Sequence, residues 1–104
     1  MTTPPNIDIS PEEWDIVSHI LQTHIPNKEV WAFGSRVTGK AKLYSDLDLV
    51  ILGETPLSLD LLATLAHEFT ESDLPFKVDL VDWATTSVNF RKIIEKQRIV
   101  LRQA

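Results

Sequence analysis

Asp46 and Asp48 stand one residue apart in an otherwise apolar run, Ser-Asp-Leu-Asp-Leu-Val-Ile over residues 45–51. Strand side chains alternate between faces. Both carboxylates therefore point one way, with Val50 beyond them, and Leu47, Leu49 and Ile51 point the other way. Asp79 lies in a second apolar run, Phe76 to Val81. There it shares a face with Lys77 and Val81, while Phe76, Val78 and Leu80 take the opposite side. If the two strands are neighbours, three carboxylates converge on one face. Aspartate is depleted in strands, and crowded ionised carboxylates raise one another's pKa, so as structure alone the arrangement costs stability. A divalent cation removes that cost, and carboxylates combined with phosphate oxygens suit Mg²⁺. Asp-x-Asp alone is also what an exposed strand end looks like; Asp79 on a second strand shifts the balance toward a metal site. Asp82 is the rival third ligand, but it has the wrong parity and fits a loop or cap role.

Gly34-Ser35 follows the short apolar run Val30 to Phe33. Glycine lets a backbone approach a ligand closely, serine adds a hydroxyl, and a helix N-terminus offers unpaired amides to an anion. Gly34 and Ser35, with Arg36 beside them, are therefore candidates for phosphate binding. The ordinary alternative is a strand-to-helix turn with Ser35 as its cap. Residues 34–41, Gly-Ser-Arg-Val-Thr-Gly-Lys-Ala, come close to the P-loop pattern. Ala41 lacks the hydroxyl that pattern needs, and a new strand begins soon after Lys40, where a P-loop opens a long helix. The P-loop is excluded on both counts, and Gly39 ends a helix of about one turn.

These groups need a scaffold. Residues 1–8 are expected as a flexible N-terminal arm and residues 9–104 as one domain. Ser10, Pro11 and Glu13 form a helix start with a capping box. Ile9 and Trp14 stand at hydrophobic-staple positions. Trp14, Val17 and Leu21, flanked by Ile16 and Ile20, recur at helical spacing, and Pro26 ends the segment. Strands are expected at Val30 to Phe33, Asp46 to Leu52 and Phe76 to Val81. Ser58 caps a helix whose inner face is Leu59, Leu62, Leu65, Ala66 and Phe69. Thr85, Thr86 or Ser87 caps a last helix, with Phe90, Ile93, Ile94 and Gln97 on one face. Residues 99–101 form a fourth short strand or lie as apolar chain on the core. The pattern is α-β-α-β-α-β-α, an α/β (α+β) class with a small mixed sheet covered by helices.

Composition bounds the partners. The net charge is −5, which disfavours nucleic acid as a main partner, while Arg36, Lys40 and Lys42 make a local basic cluster on the scale of a nucleoside triphosphate. Cysteine is absent, which removes disulfides and thiolate metal sites and fits a cytoplasmic setting. No apolar run approaches membrane-span length, and the N-terminus lacks the features of a signal peptide. His19, His24 and His67 have no common metal spacing. Trp14, Trp31 and Trp83 fit core or interface positions, Trp83 being the best placed for a partner surface. Arg91, Lys92, Lys96 and Arg98 form a basic strip suited to solvent, an acidic partner or the nucleotide.

With Phe33-Gly34-Ser35-Arg36, Gly39-Lys40-Ala41, Ser45-Asp46-Leu47-Asp48-Leu49 and Val78-Asp79-Leu80-Val81-Asp82 on the page, the chain resembles the DNA polymerase beta-like nucleotidyltransferases. It is most similar to the minimal nucleotidyltransferases (MNT) that serve as antitoxins in HEPN/MNT pairs. The resemblance spans Ile9 to Leu101. It implies the nucleotidyltransferase fold and a cytoplasmic enzyme that transfers AMP from its substrate ATP to a tyrosine hydroxyl of a HEPN-domain ribonuclease toxin. The partner is then a helical protein in a hetero-oligomer. By the same resemblance Gly34 and Ser35 hold the β- and γ-phosphates, Arg36 lies on the phosphate side or else pairs with a nearby carboxylate, Asp46 and Asp48 hold two Mg²⁺ ions, and Asp79 completes the metal set and helps activate the attacking hydroxyl.

Two other functions compete. A neutralising module could block its toxin by binding alone. A transferase could act on a small molecule, although such enzymes usually carry a second domain for the acceptor, and this chain runs little beyond the catalytic core.

Overall fold

The computed structural model describes residues 4–103. Helix α1 (Pro11–His24) opens with the expected reciprocal cap: the Ser10 hydroxyl accepts the Glu13 N–H at 3.1 Å, and the Glu13 carboxylate accepts the Ser10 N–H at 2.9 Å. Strand β1 (Val30–Phe33) leads through Gly34 into the single turn α2 (Ser35–Thr38), which Gly39 ends at φ 80°. Strand β2 (Leu47–Ile51) is followed by α3 (Leu59–Thr70), where Ser58 caps the Leu61 N–H. Strand β3 (Val78–Asp82) runs into a 3₁₀ turn (Trp83–Thr85), then α4 (Val88–Gln97), capped by Ser87, and β4 (Ile99–Arg102).

The sheet order is β3-β2-β1-β4. β2 and β3 are parallel, whereas β1 pairs antiparallel with both β2 and β4. The sheet is therefore mixed, and residues 99–102 form its edge strand. One face, carrying Ala32, Leu47, Leu49 and Ile51, packs on α1 and α3 through Val17, Leu21, Leu65 and Phe69. The other face carries a smaller cluster, Phe33, Val50 and Ile94 of α4, flanked by Trp31, Leu52, Val81 and Trp83.

Several expectations need correction. Met1–Thr3 lie outside the described residues, but Ile7 and Asp8 of the expected arm are held to the domain. Ile7 packs on the core, and Asp8 donates its N–H to Arg36 O at 2.8 Å. The inner face of α3 is Leu61, Leu65 and Phe69; Leu59 is 84% exposed because it starts the helix before that face turns inward, and Ala66 is exposed as well. On α4 only Ile94 is fully buried, and Ile93 faces solvent. The ladder between β2 and β3 runs from Leu47 and Val78, so Asp46, Phe76 and Lys77 precede the strands. Among the described residues no helix is long and apolar enough to cross a membrane.

Candidate active site

Parity and register do the positioning. Asp48 lies opposite Asp79 in the parallel β2–β3 pair and opposite Phe33 in the antiparallel β1–β2 pair. Adjacent strands run about 4.8 Å apart, so the two carboxylates rise side by side from the α4 face of the sheet. Asp46 stands two residues ahead of Asp48, just outside β2. Asp48 is half-buried, and Asp46 and Asp79 are exposed. The Asp48 carboxyl is raised from its ordinary 3.8 to about 6, first by burial and then by the negative charges of Asp79 and Asp46.

Because Phe33 is opposite Asp48, the next residue, Gly34, comes down directly on that carboxylate. Gly34 has φ 83° and ψ −159°, a backbone that side chains rarely adopt. A Cβ on Gly34 would also collide with Asp48 Oδ2. Glycine is thus required twice over. The Val37 and Thr38 N–H groups bond back to Gly34 O at 3.0 and 3.1 Å, and the Ser35 hydroxyl has no hydrogen-bond partner among the described residues. With four residues, α2 is too short for a developed helix dipole. Any affinity of this turn for phosphate rests on the Ser35 hydroxyl and nearby amides.

Arg36 does not point at this site. It is 5% exposed, and its guanidinium is spent on backbone carbonyls: Nε donates to Ser45 O at 2.9 Å, Nη1 to Asp8 O at 2.9 Å and Nη2 to Leu43 O at 3.1 Å. Its plane lies over the Phe76 ring, 3.9 Å from the centroid. The arginine is a clasp joining the N-terminal segment, the 40–46 loop and the start of β3, and its expected phosphate role is withdrawn. Nothing local distinguishes a buried clasp from a phosphate ligand, because both are an arginine after Gly-Ser.

Asp82 is likewise structural. Its Oδ2 accepts the Leu57 N–H at 2.9 Å and its Oδ1 the Ala84 N–H at 3.2 Å. That agrees with its parity and leaves Asp79 as the third carboxylate. The residue that sequence reasoning missed is Gln97. Its Oε1 accepts the Gly34 N–H at 2.6 Å across 63 residues of chain. A polar residue at the end of an amphipathic helix carries no local sign of such a contact.

Asp46, Asp48 and Asp79 fit a hard cation in donor type, all being carboxylate oxygen. The raised Asp48 pKa reflects burial first and then crowding by Asp79 and Asp46, and a cation relieves that crowding. Among the described residues no three His, Cys, Asp or Glu side chains are gathered closely enough to hold a metal ion by themselves. Mg²⁺ characteristically takes only one or two carboxylates and fills the rest of its shell with water and substrate phosphate.

Known proteins resemble this chain along most of its length. The family described as Polymerase beta, Nucleotidyltransferase matches residues 16–104. A protein of Haemophilus influenzae named "Probable protein adenylyltransferase MntA" is 54% identical over 103 residues, covering 99% of this chain and 90% of that one. Among solved structures, a toxin–antitoxin crystal structure with AMP-PNP superposes with a TM-score of 0.73 at 26% identity, over 88% of this chain and 73% of that chain. A tri-AMPylated Shewanella oneidensis HEPN toxin in complex with MNT antitoxin gives a TM-score of 0.65 at 26% identity, over 88% and 70% of the two chains.

Proposed function

This chain belongs to the polymerase beta nucleotidyltransferase family, and from that premise we propose that it is a Mg²⁺-dependent adenylyltransferase. It takes AMP from ATP and places it on a tyrosine hydroxyl of a HEPN-type helical toxin, so acting as the antitoxin of that pair. The observation that carries the proposal is the pairing of Asp48 with Asp79 on neighbouring parallel strands, with Gly34 seated on the Asp48 carboxylate.

The balance of the step is simple. The acceptor oxygen bonds to the α-phosphorus, the bond from that phosphorus to the β-bridging oxygen breaks, and pyrophosphate leaves. Asp46, Asp48 and Asp79 would hold Mg²⁺, which would supply charge neutralisation at the attacking and leaving oxygens. The chain's own residues do the positioning. The Ser35 hydroxyl donates its one proton to an oxygen of the β- or γ-phosphate. Asp79, the open member of the paired carboxylates, is placed to receive the hydroxyl proton. Rigid placement on strands lets such a small site act through orientation and electrostatics.

A protein acceptor is supported by the 40–46 loop. Leu43 and Tyr44 are 72% and 70% exposed immediately ahead of Asp46, and the Arg36 clasp holds the loop that presents them. Contiguous apolar exposure beside a site marks a docking surface. The names of the relatives support a HEPN toxin as the partner and a nucleotide as the substrate. The deciding experiment mixes the protein with ATP, Mg²⁺ and a HEPN-type toxin, then measures the toxin's intact mass. Addition of AMP is expected; an unchanged mass together with full neutralisation would favour blocking by binding alone.

A further inference from the structure

We propose that Gln97 is a positioning residue for nucleotide binding, locking the Gly34-Ser35 turn against Asp48 from the far end of the chain. The proposal rests on the transferase reading of this site. Gly34 occupies a conformation open to glycine at little cost, but a glycine also has many alternatives, so its orientation must come from its contacts. Its carbonyl is held from within α2 by the Val37 and Thr38 N–H groups. No local group holds its N–H. Gln97 Oε1 does so, at 2.6 Å.

The bracing is firm because α4 is anchored. Ile94 is fully buried between the helix and the sheet, and the Phe90 ring meets Phe33 edge-on, with centroids 5.7 Å apart. Phe33 is the residue before Gly34, so α4 grips both the strand end and the turn that follows it. The amide side chain suits this place. An aliphatic residue would leave a part-buried N–H unpaired. A glutamate would satisfy it but bring another negative charge toward Asp46, Asp48 and Asp79. Glutamine is a neutral acceptor of the right length. One consequence is that the Gly34 N–H is already committed and does not serve phosphate. Gly34 acts by shape, and Ser35 supplies the phosphate contact in the orientation that Gln97 enforces.

The test compares Gln97→Met, which keeps the shape and removes the acceptor, with Gln97→Glu, which restores it. Two readings are taken on the full chain: hydrogen exchange at the Gly34 amide by NMR, and the dissociation constant for Mg²⁺ with α,β-methylene-ATP, which cannot transfer AMP. Gln97→Met is expected to speed Gly34 exchange and weaken nucleotide binding about tenfold, with Gln97→Glu recovering protected exchange and part of the affinity. Unchanged affinity in Gln97→Met overturns the proposal whatever the amide does, and a fall in melting temperature without a change in affinity marks a merely structural bond. Should Gln97→Met fail to fold, Gln97→Asn, one methylene too short to reach, decides by the same readings. Neither reading needs AMP transfer, so an inactive wild-type protein would count against the transferase reading and leave this test intact.

Discussion

The two faces of the sheet are built for different work. The face toward α1 and α3 is a large continuous core in which Val17, Leu21, Leu47, Leu49, Ile51 and Leu65 are almost completely buried. The face toward α4 buries three residues, Phe33, Val50 and Ile94, and leaves the rest half covered. The same strands serve both. In β2 the odd residues Leu47, Leu49 and Ile51 enter the core, and the even residues Asp48 and Val50 face α4. Folding free energy is concentrated on the first face, and that surplus lets the second hold crowded carboxylates, a glycine turn and an open edge. Substitutions on the two faces should therefore separate: activity without stability on one, stability without activity on the other.

The largest separation is expected at Asp48. Asp48→Asn should lower AMP transfer by roughly a thousandfold, a typical cost of removing a key charge-stabilising group. The melting temperature of the ion-free protein should hold or rise, because a crowded, half-buried charge is gone. A marked loss of stability would break the division between faces. Leu65→Ala, on the other face, should cost about 2–5 kcal/mol in denaturant unfolding, with kcat per folded molecule unchanged. Gly34→Ala sits where the faces meet the site and should damage both properties: the positive φ costs about 1–3 kcal/mol, and the added methyl displaces the Asp48 carboxylate, which transfer assays and melting would report together. Arg36→Met tests the clasp. It should destabilise by about 1–3 kcal/mol through buried carbonyls left unpaired and loosen the 40–46 loop, with nucleotide affinity changed much less than transfer to the partner.

The smallest expected effect is on pH. Asp48 is raised to about 6, so the folded ion-free protein binds this proton more tightly than the unfolded chain does. That contribution to stability is fully present below the ordinary 3.8 and is lost as pH rises through about 6. Metal binding runs the other way, because it needs the ionised carboxylate. Mg²⁺-nucleotide affinity should fall as pH drops below 6, approaching about tenfold per unit, and level off above. Titration calorimetry at several pH values reads the slope, and Asp48→Asn should flatten it.

How far the sequence could be read follows the same division. Local rules were sufficient for the cap at Ser10 and Glu13, for the breaks at Gly34 and Gly39, and for the parity that puts Asp46 and Asp48 on one side and Asp82 on the wrong one. They were sufficient because capping and alternation act within three or four residues. The clasp formed by Arg36 is not legible locally because its partners, Asp8, Leu43 and Ser45, are set by the tertiary path. Gln97 was passed over as a helix-face residue because its partner lies 63 residues away. Leu59 and Ile93 were assigned inward because apolar spacing marks a stripe and cannot say where a short helix first touches the sheet. The pairing of Asp48 with Asp79 could be posed from parity, and it needed the parallel register of β2 and β3 to be settled.

Asp79 is therefore the residue on which the account turns. The most direct measurement is transfer of label from ATP carrying ³²P at the α-phosphate to the partner protein, with Mg²⁺, comparing Asp79→Asn and Asp82→Asn with the unaltered chain. Label should fall to background in Asp79→Asn and persist in folded Asp82→Asn, since Asp82 spends both its oxygens on Leu57 and Ala84. Full labelling by Asp79→Asn, with loss in a folded Asp82→Asn, would contradict the assignment of the third carboxylate and with it the geometry proposed for this site.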